Sequence, residues 1–229
     1  MNTSNGWQRY LQLMKERPED FRRDTNGLYA LQTDGEVVRE FVRSTGRRIG
    51  VCYESEYKIL VVDLLKSVDG RLFAYERVLP AVRGGAVVCV ARHAGKYVLI
   101  RQYRHALGRE QIAFVRGYGE NGVSAEDNAR KEVKEELGAD VLFITHLGKV
   151  TPDSGSYGQT VDVFGCEIGD WTMKPGYEGI TGICEYSHDE LIMAIARGEI
   201  DDSFSLSAFA LITARDNDSF RTETRSDAS

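Results

Sequence analysis

Residues 117–138 read GYGENGVSAEDNARKEVKEELG, and this stretch decides the fold. Ser124 is a natural N-cap residue, Asp127 follows three residues later, and Gly138 is a natural helix stop. The segment therefore predicts a charged helix over residues 124–137, preceded by a glycine-rich loop.

Three glutamates of this predicted helix, Glu132, Glu135 and Glu136, fall within about 100° of arc at helical periodicity. Their Cβ atoms are expected roughly 5–6 Å apart, and like charges at that spacing repel. A cation among the oxygens relieves this repulsion, and Mg²⁺ prefers carboxylate oxygens. Charge pattern alone leaves an alternative open, a solvated acidic face offset by the neighbouring basic residues.

Short strands with long connections surround the helix. Strands are predicted over 86–91, 97–103, 111–115, 141–150, 160–168 and 180–186, and two further helices over 189–197 and 203–215. This pattern indicates a mixed α/β class.

The N-terminal part of the chain has a different pattern. It predicts an amphipathic helix over 6–17 that stops at Pro18, then a polar stretch over 22–46, then strands over 49–54, 58–65 and 71–78. We expect residues 1–82 to form a helix plus antiparallel strands, residues 83–216 a second domain, and residues 217–229 a disordered tail.

Composition excludes several classes of protein. The chain has 229 residues, of which 42% are hydrophobic, and a net charge of −6. The hydrophobic content suits a folded core. The negative charge disfavours nucleic acid as a partner bound along its phosphate backbone. The first ten residues lack the apolar segment of a secretory signal, and the longest stretch without charged residues or histidine, 203–214, is too short for a bilayer. Four dispersed cysteines are expected to be buried thiols. We therefore expect a cytoplasmic protein without membrane or nucleic-acid partners.

The helix segment resembles the Nudix box, in which Gly, five residues and Glu are followed by seven residues and Arg-Glu-apolar-x-Glu-Glu-x-Gly. The matching residues are Gly117, Glu132, Val133, Glu135, Glu136, Gly138 and Ala139. The surrounding chain is similar to the ADP-ribose (ADP-sugar) pyrophosphatase branch over about residues 49–215, at 102–104, 115–117, 151–155 and 198–202. The resemblance implies a Nudix-type α/β/α sandwich with a mixed sheet.

The segment departs from that family's pattern at three positions. Val123 replaces the first glutamate, Lys131 replaces the arginine, and Ala113 stands where a further glutamate is often found. In the family the first glutamate and the arginine pair, so losing both together leaves no orphaned charge. Glu120 and Glu126 are candidates to substitute, although neither is in register.

The resemblance implies a hydrolase that uses Mg²⁺ or Mn²⁺ to cleave a nucleoside diphosphate linked to another moiety, with ADP-ribose or another nucleotide sugar as the expected substrate. Glu132 and Glu136 would be the principal metal ligands, Glu135 would lie near or on a metal with a catalytic part, and the carbonyl of Arg116 would complete the set.

The resemblance also implies substrate and base positions. Arg104 would bind a substrate phosphate, with Arg116 beside it, although a surface salt bridge is an equal alternative for Arg104. The general base is expected on a late loop over 169–182, where Glu178 is the first candidate and Asp170 the second.

A loop around residues 151–155 would line the pocket by the same resemblance. Its candidate substrate contacts are Asp153 and Ser154, although turn chemistry alone also explains a Pro-Asp-Ser-Gly run.

Two other functions stay open at this point. One is a nucleotide-binding sensor of the same fold without efficient turnover, which the changes at Val123 and Lys131 suggest. The other is an enzyme that acts on nucleoside triphosphates. Members of the branch are commonly homodimers that pair through their N-terminal strands, so we expect a homodimer here.

Overall fold

The computed structural model describes residues 3–22, 27–172 and 177–226. The chain forms two compact units, the first made of Met1–Val82 with Asp153–Gln159, the second of Arg83–Pro152 with Thr160–Ser229. Residues 153–159, which were expected in the second domain, join the first unit because their backbone pairs with its last strand. The Val78 amide donates to the Ser156 carbonyl (2.7 Å), and the Gly158 amide to the Val78 carbonyl (3.4 Å).

The first unit is a four-stranded antiparallel sheet with two helices. Its elements are α1 (Thr3–Glu16), a 3₁₀ turn (Pro18–Phe21), β1 (Tyr29–Leu31), α2 (Gly35–Thr45), β2 (Gly50–Glu54), β3 (Lys58–Ser67) and β4 (Leu72–Pro80). Strand β3 is central, with β4 along one edge and β2 and β1 in succession along the other.

Successive side chains of β3 point to opposite faces of the sheet, so the first unit has a core on each face. One cluster joins α1 to one face through Tyr10, Leu13, Ile59, Val61 and Leu79. The other joins α2 to the opposite face through Val38, Phe41, Val62 and Leu64. Helix α2 thus has the same role as α1.

Helix α2 and strand β1 lie in the stretch 22–46, where no regular element was expected. Asp34 is the N-cap of α2, and its carboxylate accepts hydrogen bonds from the amides of Glu36 and Val37. The buried side chains Val38 and Phe41 are three residues apart, a helical spacing that the polar residues around them obscured.

The second unit contains a seven-stranded mixed sheet. Its elements are β5 (Val87–His93), β6 (Lys96–Arg104), β7 (Arg109–Ala113), β8 (Val115–Gly117), α3 (Ala125–Leu137), β9 (Val141–Val150), β10 (Val161–Ile168), a 3₁₀ turn (Tyr177–Gly179), β11 (Ile180–Tyr186), α4 (His188–Ala196) and α5 (Ser203–Ser226). The order is β11-β6-β5-β10-β9, with β7 also on β6 and β8 also on β5. Strands β5 and β10 are parallel, and the other pairs are antiparallel.

Helices cover both faces of this sheet. On one face, α3 packs its residues Ala129, Val133 and Leu137 against β5, β6 and β10. On the other face, α4 and α5 pack through Leu191, Ala194, Ala208 and Ile212. The α/β class with a mixed sheet and the α/β/α layering are therefore confirmed.

Two details differ from the sequence-based expectation. The strand expected over 111–115 is two strands, because the chain leaves β6 at Ala113 and pairs with β5 from Val115. The helix expected over 203–215 continues as α5 to Ser226, into the stretch where a disordered tail was expected. No glycine or proline follows Ser203, so nothing in the backbone stops a helix that has already formed. Residues 227–229 lie outside the described residues.

The cysteines match the expectation of free thiols, although only two of the four are buried. All four cysteines are free thiols, with Cys89 and Cys166 buried in the second unit and Cys52 and Cys184 half-buried. Within the described ranges, no helix has both the length and the apolar character needed to cross a membrane.

Candidate active site

Capping interactions determine where helix α3 begins and ends. The Ser124 hydroxyl accepts a hydrogen bond from the Asp127 amide (3.1 Å), which caps the first turn. Gly138 adopts the left-handed conformation at φ 69°, and its amide donates to the Lys134 carbonyl (3.0 Å). The apolar side chains of Ala129, Val133 and Leu137 decide which side of the helix faces the sheet, and Glu132 and Glu136 follow the edge of that side.

A glycine-rich loop between β8 and α3 packs tightly on the helix. A Cβ atom added to Gly117 would lie 1.9 Å from Oε1 of Glu132, so only glycine leaves room for that carboxylate. The buried side chain of Asn128 fastens the loop, because its amide nitrogen donates to the Tyr118 and Gly85 carbonyls, both at 2.8 Å. The loop and the glutamates are therefore held as one structure.

Glu136 is a buried carboxyl group without full hydrogen bonding. It is 3% exposed, and its Oε2 atom has no hydrogen-bond partner among the described residues. Burial raises the pKa of Glu136 to about 8, and the charge of Glu132 adds to this increase. A backbone hydrogen bond from Arg116 acts in the opposite direction.

Glu132 has a similar environment. Burial raises its pKa to about 7, while the charge of Lys131 lowers it and the charge of Glu135 raises it. Two carboxyl groups with raised pKa values lie side by side, which makes both costly to ionise in the absence of a cation. The pair meets the donor chemistry of a hard divalent ion, and the backbone of Arg116 lies against it.

Glu135 behaves differently from that pair. Its Oε2 atom lies 3.1 Å from the Lys131 ammonium, which also donates to Oε1 of Glu120 at 2.6 Å. Within residues 3–22, 27–172 and 177–226, no three His, Cys, Asp or Glu side chains converge in a metal-binding arrangement. The structure thus brings Glu132 and Glu136 together and turns Glu135 toward Lys131.

Arg104 and Arg116 lie beside Glu136. The Nε and Nη2 atoms of Arg104 are buried and have no hydrogen-bond partner among the described residues. Burial lowers the pKa of Arg104, and the charge of Arg116 contributes to this. The Arg116 guanidinium is engaged, since Nη1 donates to Asp202 (2.8 Å) and the group lies over Phe204. Arg104 therefore presents donor atoms that no described carboxylate accepts.

Glu178 lies close enough to Glu132 and Glu136 for its charge to act on both. Its charge contributes to the raised pKa values of Glu132 and Glu136. Its backbone has φ 46°, an unusual conformation for a residue other than glycine, and its carbonyl accepts a hydrogen bond from Gln102 (2.8 Å). Part of the predicted loop, residues 173–176, lies outside the described residues.

Asp170, the second candidate for the base, has another environment. Its side chain is fully exposed, and Oδ1 lies 3.7 Å from Nε2 of His93. Glu178, in contrast, is among the charges that raise the pKa values of Glu132 and Glu136.

Asp153 and Ser154, the candidate substrate contacts, belong to the first unit. The Asp153 carboxylate accepts hydrogen bonds from the Gly155 amide (2.9 Å) and the Ser156 hydroxyl. The Ser156 hydroxyl, followed by the Gly155 amide, lowers the pKa of Asp153. Hydrogen bonds within the turn therefore account for the Asp153 carboxylate.

Sequence reasoning missed three polar residues that shape the site, Gln102, Asn128 and Asp202. Asn128 had a detectable signal, because it precedes Glu132 by four residues and Glu136 by eight and so shares their side of the helix. Asp202 caps α5 through the Ser205 amide (3.0 Å), and Asp-x-x-Ser before an apolar run is a recognisable cap. Nothing in the sequence indicated that Gln102 holds the Glu178 carbonyl.

Comparisons with known proteins agree with this architecture. A family model described as the NUDIX domain matches residues 82–210, more than half of the chain. A search of curated proteins found no match. A solved structure titled "Crystal structure of ADP compounds hydrolase" is similar to this chain, with a TM-score of 0.62, 18% identity, and coverage of 72% of this chain and 89% of that one. Because 314 chains of solved structures match, such likeness shows the fold and leaves the substrate open.

Proposed function

The chain belongs to the Nudix family and is a hydrolase of that family, and from this premise we propose its reaction. It cleaves the pyrophosphate bond of a nucleoside diphosphate linked to another moiety, with ADP-ribose or another nucleotide sugar as substrate, and it uses Mg²⁺ or Mn²⁺. The similar solved structure is titled an ADP compounds hydrolase, which supports this substrate class.

One observation carries the proposal. The Oε2 atom of Glu136 is buried without a hydrogen-bond partner among the described residues, beside a second carboxyl group, Glu132, whose pKa is also raised. Natural proteins rarely leave such an atom unsatisfied unless a ligand completes it. A bound divalent ion supplies charge neutralisation for phosphoryl oxygens and a lowered pKa for a bound water. Glu132, Glu136 and the Arg116 carbonyl would hold it.

The phosphate groups would bind beside that carboxylate pair. Arg104 has buried guanidinium nitrogens without a partner among the described residues, and a phosphate oxygen is the acceptor that such a fork binds best. Arg116 is paired with Asp202, so its guanidinium contributes positive potential and its backbone the metal contact. Positive charge close to Glu136 favours a polyphosphate substrate over a neutral one.

Glu178 would accept the proton of the attacking water. Its charge contributes to the raised pKa values of Glu132 and Glu136, and its backbone has a conformation that is unusual for a residue other than glycine. Gln102 holds the Glu178 carbonyl and so positions this part of the loop.

The test is product formation by the purified protein with Mg²⁺ or Mn²⁺ on ADP-ribose, other nucleotide sugars, dinucleotides and nucleoside triphosphates. We expect turnover of a nucleotide sugar that chelation abolishes, with release of a nucleoside monophosphate. Glu132→Gln is expected to remove activity, because it removes one of the paired carboxylates. Glu126→Gln is the matched control, since Glu126 lies on the same helix and pairs with Arg130.

Other outcomes separate the alternatives. Preference for a triphosphate would contradict the substrate assignment and keep the reaction type. Nucleotide binding without any turnover would contradict the proposal and identify a sensor, the function that Val123 and Lys131 suggest.

We propose that the first unit makes the protein a homodimer. This unit exposes large apolar side chains at Leu28, Tyr29, Tyr53 and Tyr57, each at least 49% exposed. Exposed apolar surface of this kind marks contact sites in many proteins. A dimeric mass by light scattering at micromolar concentration is expected, and a monomeric mass would refute the dimer.

A further inference from the structure

Lys131 contacts two carboxylates from different elements. Its ammonium lies 2.6 Å from Oε1 of Glu120, in the loop before α3, and 3.1 Å from Oε2 of Glu135, one turn along α3. The hydrogen bond to Glu120 raises the pKa of Lys131 most, and the bond to Glu135 comes second. The ammonium is therefore a permanent positive charge on the outer carboxylate of the cluster.

The three glutamates thus form two classes. Glu132 and Glu136 are an inner pair whose charges have no ammonium or guanidinium within ion-pair distance among the described residues. Glu135 is an outer carboxylate, 37% exposed at its side chain, whose oxygen already has a cationic partner. The sequence spacing placed all three on one arc, and the contact with Lys131 separates one from the others.

We propose that Lys131, tethered by Glu120, is a built-in counter-cation for Glu135, so that a divalent ion gains Glu135 only by displacing it. This inference rests on the proposed function, in which a divalent ion binds the inner pair. Lys131 then determines how tightly the three glutamates bind metal. Glu120 weakens the ion pair between Lys131 and Glu135, because it shares the same ammonium group.

The proposal predicts effects of opposite direction at the two ends of one ion pair. Lys131→Met removes the competitor, so metal affinity increases. Glu120→Gln removes the tether and leaves the ammonium wholly to Glu135, so metal affinity decreases. General electrostatics predicts the same two directions, since the first change lowers the net charge and the second raises it.

The double variant Glu120→Gln/Lys131→Met separates the two explanations. Its net charge equals that of the wild type, so a purely long-range effect predicts wild-type affinity. Displacement predicts that the double variant has the same metal affinity as Lys131→Met, because neither variant has an ammonium group beside Glu135.

The experiment measures Mn²⁺ binding to the substrate-free protein by the electron paramagnetic resonance signal of free Mn²⁺. Lys131→Met is expected to tighten binding about fivefold and Glu120→Gln to weaken it about twofold, the range of partly exposed ion pairs. The double variant is expected to match Lys131→Met. Lys131→Arg keeps the cation and is expected to match the wild type.

Glu126 and Arg130 provide a matched control pair. They form an ion pair at 3.0 Å on the same helix, with similar exposure, and Arg130 also donates to the Val141 carbonyl (3.2 Å), away from the glutamate cluster. Glu126→Gln, Arg130→Met and their double variant change charge in the same way. Each is expected to alter Mn²⁺ affinity less than its counterpart at residues 120 and 131.

Several results would overturn the inference. A double variant at wild-type affinity would reduce Lys131 to a long-range charge, and weaker binding in Lys131→Met would make it a support for Glu135 instead of a competitor. A wild type that binds Mn²⁺ and hydrolyses substrate, with Lys131→Met unchanged in affinity, would refute only this inference. A wild type that neither binds Mn²⁺ nor hydrolyses substrate would refute the proposed function with it.

Discussion

Asp63 in the first unit and Glu136 in the second are both buried carboxyl groups, with exposed fractions of 1% and 3%. Asp63 lies on β3, where the Tyr10 hydroxyl donates to one oxygen and Nε of Arg77 donates to the other at 2.6 Å. Both oxygens of Asp63 are satisfied within its own unit. Glu136 lies on α3 with one oxygen that no described group satisfies and with Glu132 as its neighbour.

The difference between Asp63 and Glu136 supports the role that we propose for Glu136. A buried charge with complete partners contributes to one defined packing of the core around it. A buried carboxyl group beside another, with an oxygen left over, costs stability in the metal-free protein. Proteins tolerate such a loss of stability where a bound ligand offsets it. The unpartnered oxygen of Glu136 therefore supports its place in the proposed metal site.

The largest effects are expected from replacing the Glu136 and Asp63 carboxylates, one at a time, by the corresponding amides. Glu136→Gln should lower kcat about a thousandfold, equivalent to about 4 kcal/mol, because one of the paired metal-binding carboxylates is lost. Asp63→Asn should leave kcat near the wild-type value and lower the free energy of unfolding by about 3 kcal/mol, because Arg77 keeps a buried charge without its counter-ion. Steady-state kinetics and urea denaturation measure the two quantities.

The same two variants also test whether Asp63 and Glu136 have different roles. Glu136→Gln is expected to leave the metal-free protein at least as stable as the wild type at pH 8, because the amide removes a buried charge. If Asp63→Asn lowered kcat as much as Glu136→Gln does, the two carboxylates would not divide into structural and functional groups.

Sequence information was sufficient where the determinants were local. Ser124 and Gly138 bracket α3, and both its helical extent and the arc of its glutamates follow from spacing within the helix. The same reasoning failed at α2, although the cap Asp34 and the i, i+3, i+4 spacing of Val38, Phe41 and Val42 are both present in the sequence. The charged residues between them form the exposed side of the helix, and the sheet buries the apolar side.

The interior of the site could be predicted only in part. Which glutamates converge depends on the conformation of the loop 118–123, which decides whether Glu120 reaches Lys131. That loop packs against residues outside the box, since a Cβ atom added to Gly119 would lie 1.7 Å from the Gly84 carbonyl oxygen, and spacing within the box contains no information about such contacts. The structure therefore supplies the separation of Glu135 from the inner pair.

A second prediction concerns how Glu132 is held. A Cβ atom on residue 117 would lie 1.9 Å from Oε1 and 2.1 Å from Cδ of Glu132, so Gly117→Ala must displace that carboxylate. A displacement of this size is expected to lower kcat/KM about a hundredfold while the melting temperature changes little, because a side-chain end moves more easily than backbone. Asp63, held by hydrogen bonds, has no such dependence on a glycine.

Gly182→Ala is the matched control for this prediction. Gly182 lies on β11 in the same unit, and nothing lies within 4 Å of a Cβ added there. Its kcat/KM should remain near the wild-type value. Wild-type kinetics in Gly117→Ala would show that Glu132 moves without functional cost.

The smallest effect expected is the pH dependence of stability in the metal-free protein. The pKa values of Glu132 and Glu136 in the folded chain, about 7 and about 8, exceed the ordinary value of 4.5. Between these limits the folded state keeps protons that the unfolded state has released, so the free energy of unfolding falls as pH rises. Glu132 is partly exposed and therefore screened, so we expect a loss of about 2 kcal/mol from pH 5 to pH 8.

Urea denaturation at pH 5, 6, 7 and 8 with a chelator measures this slope, and Glu136→Gln should remove the larger share of it. Saturating Mg²⁺ should flatten the slope in the wild type, because a bound cation takes the place of the protons. An unchanged slope in Glu136→Gln would place its origin elsewhere in the chain and remove the energetic contrast with Asp63. A slope that the variant removes but Mg²⁺ leaves intact would separate the burial of Glu136 from metal binding.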